Sequence, residues 1–430
     1  MVEHKKTYLV LGLGRSGQST VEHLKKCGHN VVCFDDNPER NKQFQGVENS
    51  EAISFDTLTA VVQSPGTAYS FPKPHPLTAK AQAHGVPIMT DINLLQETYP
   101  TVQYVGVTGT NGKSTTTALL GHILGASVGG NIGIPALDIR PEKTCVLELS
   151  SYQLERSQPI HLDVAVWSNI SKDHLDNHGT MEAYTGAKER IFEKSKTAVM
   201  GVDDFFSQKA YEKIKGSMPT LSVSVKEKAD IWVHQAVLYH GSTAVLDLAP
   251  IHTLQGVHNH QNAALAYGAA YQLGMDSLSI GAFMKTFAGL VHRQERVAFK
   301  NAVTFINDSK ATNADASYWA LKAFSKSPLI WIAGGIEKAG GIESLHTFFP
   351  HIHHTFLIGQ AQENFSKTLQ AYPHTLCHTL EKAVQEAYIM AKSMKKEVTV
   401  LFSPACASFD QFRDFEHRGD VFKHIVASLS

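Results

Sequence analysis

Short apolar runs alternate along this chain with longer stretches that carry apolar residues at helical spacing. In the N-terminal part the apolar runs cover residues 8–11, 31–34, 60–63 and 86–89. Buried strands separated by amphipathic helices are typical of a parallel sheet with crossover helices. The pattern therefore predicts an α/β fold for the segment from residue 7 to about residue 95.

The same alternation returns in a second segment. Apolar runs lie at 102–107, 144–149 and 163–170, and helical stretches lie near 181–195 and 258–273. Between those helices, residues 230–248 alternate apolar and polar positions. Strict alternation of this kind predicts a small antiparallel sheet beside the parallel one.

A third segment repeats the α/β pattern in the C-terminal part of the chain. Its apolar runs cover residues 303–306, 329–333, 355–358 and 398–402. Chains of this length usually fold as two or three domains. We predict three α/β domains, which cover residues 1–95, 96–291 and 292–430.

The composition argues against several classes of protein. The chain has 430 residues, 43% apolar and 18% charged, with a formal net charge of −1. That balance indicates neither a nucleic-acid surface nor a membrane surface, and no apolar run approaches the roughly 18 residues of a membrane span. The five cysteines are scattered, and the N-terminal segment lacks a signal-peptide pattern. We expect a cytoplasmic monomer that binds neither nucleic acid nor membrane.

The most informative motif is GVTGTNGKS at residues 106–114, between an apolar run and a helical stretch. A glycine-rich turn that ends in Lys-Ser is typical of a nucleoside triphosphate site. Backbone N–H groups would cradle the phosphates, Lys113 would reach the outer ones, and Ser114 would hold Mg²⁺. The strict pattern has glycine where this chain has Val107. We predict ATP or GTP binding; the alternative is a glycine-rich turn without a ligand.

A second glycine motif, GLGRSG at residues 12–17, follows the first apolar run, and Asp35 and Asp36 come at the end of the next. This combination is the dinucleotide fingerprint. The same turn holds any pyrophosphate, so NAD, FAD and a nucleotide-linked substrate all remain open. The turn Ser64-Pro65-Gly66 follows the third apolar run, where it would either close such a site or serve as a plain turn.

Polar residues at two predicted strand ends are candidate metal ligands. Glu148 interrupts an apolar run, and an unpartnered buried carboxylate is costly, which favours a cation beside it over a salt bridge at the strand edge. Asp173 and His174 follow the next run, where they would either ligate and transfer protons or belong to a solvated loop. Lys188 lies on a helical stretch, and composition alone places it at the surface.

Together these motifs resemble those of the Mur ligases, the ATP-dependent ligases of peptidoglycan synthesis. The similarity spans all three segments and includes the loop at 106–114. Residues 403–420 are similar to the branch of the family that adds D-glutamate. The other matching stretches are GNIG at 130–133, ELSSYQL at 148–154, DHLD at 173–176, AKERIF at 187–192, GVHN at 256–259, HRQE at 292–295 and NDSKATN at 307–313.

The resemblance implies a fold and an activity. The fold would comprise a Rossmann-like UDP-binding domain, a P-loop ATPase-like central domain with a small antiparallel sheet, and a Rossmann-like C-terminal domain. The activity would be addition of D-glutamate to UDP-N-acetylmuramoyl-L-alanine through an acyl phosphate, with ATP as co-substrate and two Mg²⁺ ions. The first glycine motif would then hold UDP and not NAD.

The resemblance also implies roles for individual residues. Lys188 would be carbamylated and would hold metal together with Ser114, Glu148 and His174. The implied catalytic residues are Lys113, Asn131, His174 and Lys188, with His174 as candidate base. The implied ATP contacts are Gly109, Thr110, Asn111, Gly112, Lys113, Ser114, Thr115, Asn259, Asn262, Asn313 and Glu337. The implied contacts of the UDP substrate are Gly14, Arg15, Ser16, Asp35, Asp36, Ser64, Pro65, Gly66 and Asn131, and those of D-glutamate are Lys338, Ser408 and Phe415.

Two positions depart from the family pattern. Glu337 stands where the family usually has aspartate, and Asn93 where it more often has glutamate. The sequence offers no physical account of Asn93. A folylpolyglutamate-type ligase, an NAD-dependent dehydrogenase and a non-catalytic nucleotide-binding regulator remain as alternative functions.

Overall fold

The computed structural model describes residues 5–45, 50–131, 133–325, 327–338 and 340–429. The chain divides into two compact units, residues 1–288 and 289–430. The first unit contains two sheets and the second unit contains one. The predicted α/β class is confirmed, while the domain boundary near residue 95 stays a prediction because that position lies inside the first unit.

The first sheet is parallel and has four strands in the order β2-β1-β3-β4. Apolar side chains cover both faces, with Leu9 and Val61 in one cluster and Val10 and Val62 in the other. Its strands are β1 (Thr7–Leu11), β2 (Asn30–Phe34), β3 (Ala60–Gln63) and β4 (Ile88–Met89). Its helices are α1 (Arg15–Lys26), α2 (Pro38–Phe44), α3 (Pro76–Ala83) and α4 (Asp91–Thr98).

The second sheet has nine strands in the order β13-β12-β11-β10-β9-β8-β5-β7-β6. The pairs from β6 to β11 are parallel, and β11, β12 and β13 pair antiparallel. The antiparallel strands predicted from the alternation at 230–248 are therefore present, at one end of this sheet. Its strands are β5 (Gln103–Thr108), β6 (Ser127–Gly130), β7 (Thr144–Glu148), β8 (His161–Trp167), β9 (Lys194–Gly201), β10 (Thr220–Ser224), β11 (Ile231–His234), β12 (Val237–His240) and β13 (Thr243–Asp247). Its helices are α5 (Lys113–Leu124), α6 (Ser151–Arg156), α7 (Leu175–His178), α8 (Met181–Glu189), α9 (Phe205–Ile214), α10 (Val257–Gln272) and α11 (Ser277–Lys285).

The second unit is built on a six-stranded sheet in the order β14-β15-β19-β16-β17-β18, in which only the β14–β15 pair is antiparallel. Its strands are β14 (Glu295–Lys300), β15 (Val303–Asn307), β16 (Leu329–Gly334), β17 (Ile352–Ile358), β18 (His374–His378) and β19 (Val398–Phe402). Its helices are α12 (Ala314–Phe324), α13 (Gln362–Thr368), α14 (Leu380–Ser393) and α15 (Phe415–Ser428). Short 3₁₀ turns across the chain are Ser50–Ala52, Ala136–Asp138, Arg190–Phe192, His252–Leu254, Glu343–Leu345 and Phe349–His351. Among the described residues, no helix is long and apolar enough to cross a membrane.

The structure accounts for Asn93, the residue that the sequence left unexplained. Its Oδ1 accepts hydrogen bonds from the backbone N–H groups of Thr90 (3.1 Å) and Gln158 (3.1 Å). Its Nδ2 donates to the carbonyl oxygen of Gln158 (3.0 Å). A glutamate carboxylate only accepts hydrogen bonds, so it would leave that carbonyl facing an oxygen. The amide thus joins the start of α4 to the end of α6.

Asp91, the first residue of α4, is a buried acid whose Oδ1 has no hydrogen-bond partner among the residues described. Burial raises the pKa of Asp91 from its ordinary 3.8 to about 6. The folded state therefore holds a proton that the unfolded state has lost between these two values, and the free energy of unfolding declines as pH rises through this window.

We predict that Asp91→Asn removes this pH dependence. The wild type loses about 3 kcal/mol of unfolding free energy from this group between about pH 4 and pH 7, and the variant does not. Urea unfolding of both proteins across that range measures the difference. Parallel pH profiles for wild type and variant would contradict the assignment.

Lys300, at the end of β14, closes the C-terminus of α15. Its ammonium group donates to the carbonyl oxygens of Val426 (3.0 Å), Ala427 (3.1 Å) and Leu429 (2.9 Å). These carbonyls belong to the last turn of the helix, where no intrahelical donor remains and the helix dipole favours a cation. One side chain thereby satisfies three acceptors.

We predict that Lys300→Met lowers the free energy of unfolding by about 2 kcal/mol, because it leaves these carbonyls without their charged donor. Lys215→Met is the matched control. Lys215 is a surface residue that pairs with Glu212 and lies over the ring of Tyr211, and its loss is expected to cost much less than that of Lys300. Chemical unfolding followed by circular dichroism compares the two, and equal losses would refute the assigned role.

Candidate nucleotide and metal sites

The glycine-rich loop connects the end of β5 to the start of α5. Gly109 has φ of +141° and Gly112 has φ of +84°, a region that side chains with a Cβ rarely adopt. A Cβ at Gly109 would lie 1.9 Å from Ser168 Oγ, and one at Gly112 would lie 2.1 Å from Asn262 Oδ1. Val107 is a buried residue inside β5, so its position needs no glycine. The departure from the strict motif therefore leaves the turn intact.

The loop leads into the N-terminus of α5, which is the end of a helix that favours anions. The N–H groups of Thr110 and Asn111 are already bonded, to Asn169 O (2.7 Å) and Asn169 Oδ1 (3.0 Å) respectively. The first bond of the helix runs from Thr116 N to Gly112 O (2.9 Å). The donors that precede it, from residue 112 to residue 115, are therefore the ones oriented for phosphate. Lys113 Nζ donates to Thr110 O (2.8 Å).

Helix α10 places two of the predicted ATP contacts beside the loop. Asn262 Oδ1 accepts from the hydroxyl of Thr116 (3.3 Å), and its Nδ2 donates to Asn259 Oδ1 (3.1 Å). Asn259 Nδ2 donates in turn to Gln255 O (3.1 Å). The α5 and α10 N-termini thus share one polar surface.

Glu148, the last residue of β7, has the character expected of a cation ligand. Its side chain is 3% exposed, and Asn131 Nδ2 donates to Oε1 (2.9 Å). The second oxygen, Oε2, is buried and has no hydrogen-bond partner in the described part of the chain. An unpartnered buried carboxylate oxygen is costly unless a cation or donor joins it. This oxygen therefore fits a divalent cation such as Mg²⁺.

Lys188 is buried, in contrast to the surface position that composition predicted. The residue is 1% exposed, and its Nζ donates to Gly109 O (2.8 Å) and lies 4.9 Å above the ring of Tyr184. Burial, and then the nearby ammonium of Lys113, lower the pKa of Lys188 well below its ordinary 10.5. The amine is thus held in an environment that disfavours its charged form. A neutral amine is a nucleophile, which a solvated surface lysine at neutral pH is not.

His174 lies just before α7 and is half-exposed. Its Nδ1 is 3.0 Å from the hydroxyl of Tyr152, and its Nε2 is 3.4 Å from Asp173 Oδ2. His178, one turn later, is buried between the rings of Tyr152 and Tyr184. Burial lowers the pKa of His178, which favours its neutral ring. The sequence analysis assigned no role to Tyr152 or Tyr184, because aromatic residues on helices are more often core residues.

A separate cavity of about 390 Å³ opens at the carboxyl ends of β1, β2 and β3. Asp35 Oδ2 accepts from Leu13 N (2.6 Å), and its Oδ1 accepts from Asn37 N (2.8 Å). Burial by itself would raise the pKa of Asp35, but these N–H groups and Arg40 lower it on balance. The lining includes all eight residues predicted from the first segment: Gly14, Arg15, Ser16, Asp35, Asp36, Ser64, Pro65 and Gly66.

Asn131 was predicted to contact the same substrate. Its side chain donates a hydrogen bond to Glu148 and does not line this cavity. Arg15 extends from the cavity toward the same loop, since its Nη2 donates to Gly133 O (3.0 Å). Ile132, between the two, lies outside the described residues. Within the first unit, Arg15 therefore joins the cavity to the loop that carries Asn131.

The predicted residues of the second unit follow strands β15, β16 and β19. Asn313 accepts from Ala316 N (2.8 Å) at the start of α12, and Glu337 Oε2 accepts from Asn364 Nδ2 (2.9 Å). Ser408 is buried, and the carbonyl of Phe415 accepts from Ser309 Oγ (2.8 Å). Lys338 follows Glu337 at the end of β16. Because parallel strands carry their carboxyl ends at one edge, these residues share that edge of the sheet.

Two buried ionisable residues at the same edge were assigned no role from the sequence. Asp308 accepts from Ser403 Oγ (2.7 Å), and burial raises the pKa of Asp308 to about 7. Arg418 donates to Ser309 O (2.8 Å), and burial lowers the pKa of Arg418 to about 10. Both belong to stretches that match the family, but only their burial marks them as special.

The chain is similar to known proteins over nearly its whole length. The family model for the Mur ligase middle domain matches residues 107–270. The UDP-N-acetylmuramoylalanine–D-glutamate ligase of Caulobacter vibrioides (strain NA1000 / CB15N) is 41% identical over 455 aligned positions, which cover 99% of this chain and 96% of that protein. The protein of the same name from Rhodospirillum rubrum is 42% identical, over 98% of this chain and 94% of that protein.

Solved structures show the same fold at lower identity. The UDP-N-acetylmuramate–alanine ligase of Thermotoga maritima has a TM-score of 0.61 at 17% identity, covering 99% of this chain and 100% of that one. The MurF ligase of the same organism, solved in complex with ADP, has a TM-score of 0.56 at 18% identity, covering 99% and 96%. By the identity and coverage of its relatives, the chain belongs to the Mur ligase family, among the UDP-N-acetylmuramoylalanine–D-glutamate ligases.

Proposed function

We propose that this protein uses ATP to join D-glutamate to UDP-N-acetylmuramoyl-L-alanine in the synthesis of peptidoglycan precursors. The observation that carries the proposal is the presence of two separate anion-binding turns in the first unit. One is the loop at 106–114, and the other lines the cavity beside Gly14 and Asp35. A dehydrogenase needs only one nucleotide site, whereas this ligase needs one for ATP and one for its UDP-linked substrate.

The reaction proceeds in two steps. The terminal carboxylate of the L-alanyl group attacks the γ-phosphorus of ATP, and an acyl phosphate and ADP form. The amine of D-glutamate then attacks the acyl carbon, the C–O bond to phosphate breaks, and an amide and inorganic phosphate result. Negative charge gathers first on the transferring phosphoryl group and then on a tetrahedral oxyanion. Lys113 and the N–H groups at the start of α5 are placed to stabilise the first of these.

Bound Mg²⁺ would neutralise phosphate charge during both steps. The residues that we propose to hold two such ions are Ser114, Glu148, His174 and carbamylated Lys188. The free Oε2 of Glu148 supports a cation at this place. Among the described residues no group of three His, Cys, Asp or Glu side chains converges, so a serine and a modified lysine would have to complete the donor set.

The burial of Lys188 supports its carbamylation, because burial favours the neutral amine that reacts with CO₂. The neutral amine attacks the carbon of CO₂, a C–N bond forms, and the amine proton passes to water. The product is an anion where the unmodified side chain is at best neutral. This change turns a group that repels a metal ion into one that ligates it.

His174 is the candidate base for the amine of D-glutamate. Its Nδ1 faces the hydroxyl of Tyr152 and its Nε2 faces Asp173 Oδ2, so either nitrogen would have to leave one of these partners to accept a proton or to bind metal. One nitrogen does not do both at once. We propose Asn313 and Glu337 as further ATP contacts, and Lys338, Ser408 and Phe415 as the D-glutamate site, on the second unit. That the enzyme acts as a cytoplasmic monomer remains a prediction from the sequence.

We predict that the purified protein releases phosphate from ATP only when UDP-N-acetylmuramoyl-L-alanine and D-glutamate are both present. A panel of amino acids, with folate and L-glutamate as the rival pair, measures the specificity. Lys113→Ala is expected to lower kcat by at least about 100-fold, because phosphoryl charge loses its cation. The surface variant Lys215→Ala should keep wild-type turnover. Turnover with folate and L-glutamate, or full activity of Lys113→Ala, would refute the proposal.

We predict that Lys188→Ala loses most activity and regains part of it in added acetate or propionate. The small carboxylate would occupy the space of the carbamate and restore the anionic ligand. Lys113→Ala under the same conditions is the control, since a carboxylate offers no substitute for an ammonium group. Absence of rescue at every concentration, with the variant folded, would count against carbamylation.

A further inference from the structure

An asparagine side chain is bonded at two points to the backbone at each of the two anion-binding turns. At the ATP loop, Asn169 Oδ1 accepts from Asn111 N (3.0 Å) and Asn169 Nδ2 donates to Asn111 O (3.1 Å). At the other cavity, Asn41 Oδ1 accepts from Asp35 N (2.8 Å) and Asn41 Nδ2 donates to Asp35 O (2.7 Å). Each amide thus pairs with both backbone groups of one residue, as a neighbouring strand would.

The orientation of the Asn169 amide is determined by its partners. The backbone N–H of Asn111 only donates, so Oδ1 must face it, and Nδ2 must then face Asn111 O. The same Nδ2 lies 3.3 Å from Gln261 Oε1, and Gln261 Nε2 donates to Asp203 Oδ2 (2.9 Å). The carboxylate of Asp203 only accepts. The network therefore has one hydrogen-bonding direction, and no amide in it can be flipped without setting two oxygens against each other.

These bonds hold the middle of the ATP loop against the end of β8. Besides its side-chain pair with Asn111, Asn169 accepts from Thr110 N through its own carbonyl (2.7 Å). Ser168 Oγ adds a bond to Asn111 O (2.6 Å). The next residue, Gly112, begins the turn from which the α5 donors point outward. The position of those donors relative to β8 therefore depends on Asn169.

Asn41 has the equivalent place at the other turn. It is a buried residue of α2, and it fixes the backbone of Asp35 at the end of β2. The carboxylate of Asp35 then accepts from Leu13 N (2.6 Å), which lies inside the glycine turn between β1 and α1. Asn41 thereby positions the glycine turn through Asp35, without lining the cavity itself.

We propose that Asn169 and Asn41 are positioning residues, each for one nucleotide: Asn169 for the adenine nucleotide at the loop 106–114, and Asn41 for the uridine diphosphate group in the cavity beside Gly14. The assignment of the two ligands rests on the proposed function. Neither asparagine needs to touch its ligand. Each one places the backbone donors that do.

The two aspartate variants form a matched pair. In Asn169→Asp and Asn41→Asp, one oxygen still accepts from the backbone N–H, but the second oxygen replaces Nδ2 and faces a carbonyl oxygen. The Gln261 network does not relieve this in Asn169→Asp, because turning Gln261 would set its oxygen against Asp203. Binding of ADP and of UDP to each full-length variant, in magnesium buffer, is measured by titration calorimetry, and melting temperatures are recorded in parallel.

Asn169→Asp is expected to weaken ADP binding about tenfold and to leave UDP binding within about twofold of the wild type. Asn41→Asp is expected to show the reverse. In turnover assays the KM for ATP should rise in the first variant, and the KM for the UDP-linked substrate in the second. Melting temperatures within a few degrees of the wild type show that the effect is local.

Three results would overturn the inference: equal weakening of both ligands, no weakening of either, or loss of affinity only in proportion to loss of melting temperature. If an aspartate variant does not fold, the alanine variant at the same position takes its place, because it removes the two bonds without adding charge. Its expected selectivity is the same, with a smaller effect. Failure of the wild type to bind ADP or UDP would instead refute the proposed function, so the two failures are distinguishable.

Discussion

The parallel pairing of β5 with β7 and β8 is the constraint on which the catalytic region depends. Val107 pairs with Glu148 on one side and with Val166 on the other, and Thr108 pairs with Trp167. The three strands therefore end at the same level of the sheet. Gly109, Glu148 and Asn169, which are 21 to 60 positions apart in sequence, therefore lie at the same end of the sheet. Because the strands are buried on both faces, the hydrophobic core holds this register. The register in turn sets the positions of the polar residues at the edge of the sheet.

At that edge the structure places an unusual pair of buried groups. One is the Glu148 carboxylate, whose Oε2 has no hydrogen-bond partner among the described residues, and the other is the Lys188 amine, whose pKa burial lowers and the charge of Glu148 raises. Burial is costly for both groups, since each lacks part of its natural hydration. Binding of metal and phosphate, together with modification of the amine, would give both groups their partners. The burial of these two groups thus supports the proposal that metal and substrate complete the site.

The two anion-binding turns of the first unit solve the same physical problem with different residues. Each places a glycine-rich turn between a buried strand and the N-terminus of a helix, so that backbone N–H groups face an anion. A side chain then stabilises each turn by accepting a hydrogen bond from its backbone. At the loop 106–114 this is the amide of Asn169, and at the turn 12–17 it is the carboxylate of Asp35, which Asn41 supports. Lys113 supports the proposal that the first turn serves phosphoryl transfer. The second turn lacks such a lysine, which suits a group that is bound and not transferred.

The sequence by itself determined the fold class, the glycine turns and the family, because these depend on local pattern. Alternating apolar runs predicted most strands, and the alternation at 230–248 identified β11 to β13. Strands β6, β9, β10, β14 and β18 were missed. Ser127–Gly130 is half glycine, β9 begins inside the stretch predicted as helical at 181–195, and the other three are short or partly exposed. Their strand character comes from pairing with neighbours, which no local window contains. Eight of the nine residues predicted to contact the UDP substrate line one cavity, because each lies at a strand end that the motifs already marked, and their contact with UDP stays a prediction.

Only the tertiary structure decided the states of the charged groups and the roles of the supporting residues. Composition placed Lys188 at the surface, but the packing of α8 buries it against the glycine loop, and its low pKa follows from that burial. Asn93, Asn41 and Asn169 are ordinary polar residues in sequence, and their two-point bonds exist only because distant backbone segments meet. Local pattern reports which residues belong to strands, helices and turns. Hydrogen-bond partners, burial and electrostatic environment depend on which segments fold against one another, and those contacts span long distances along the chain.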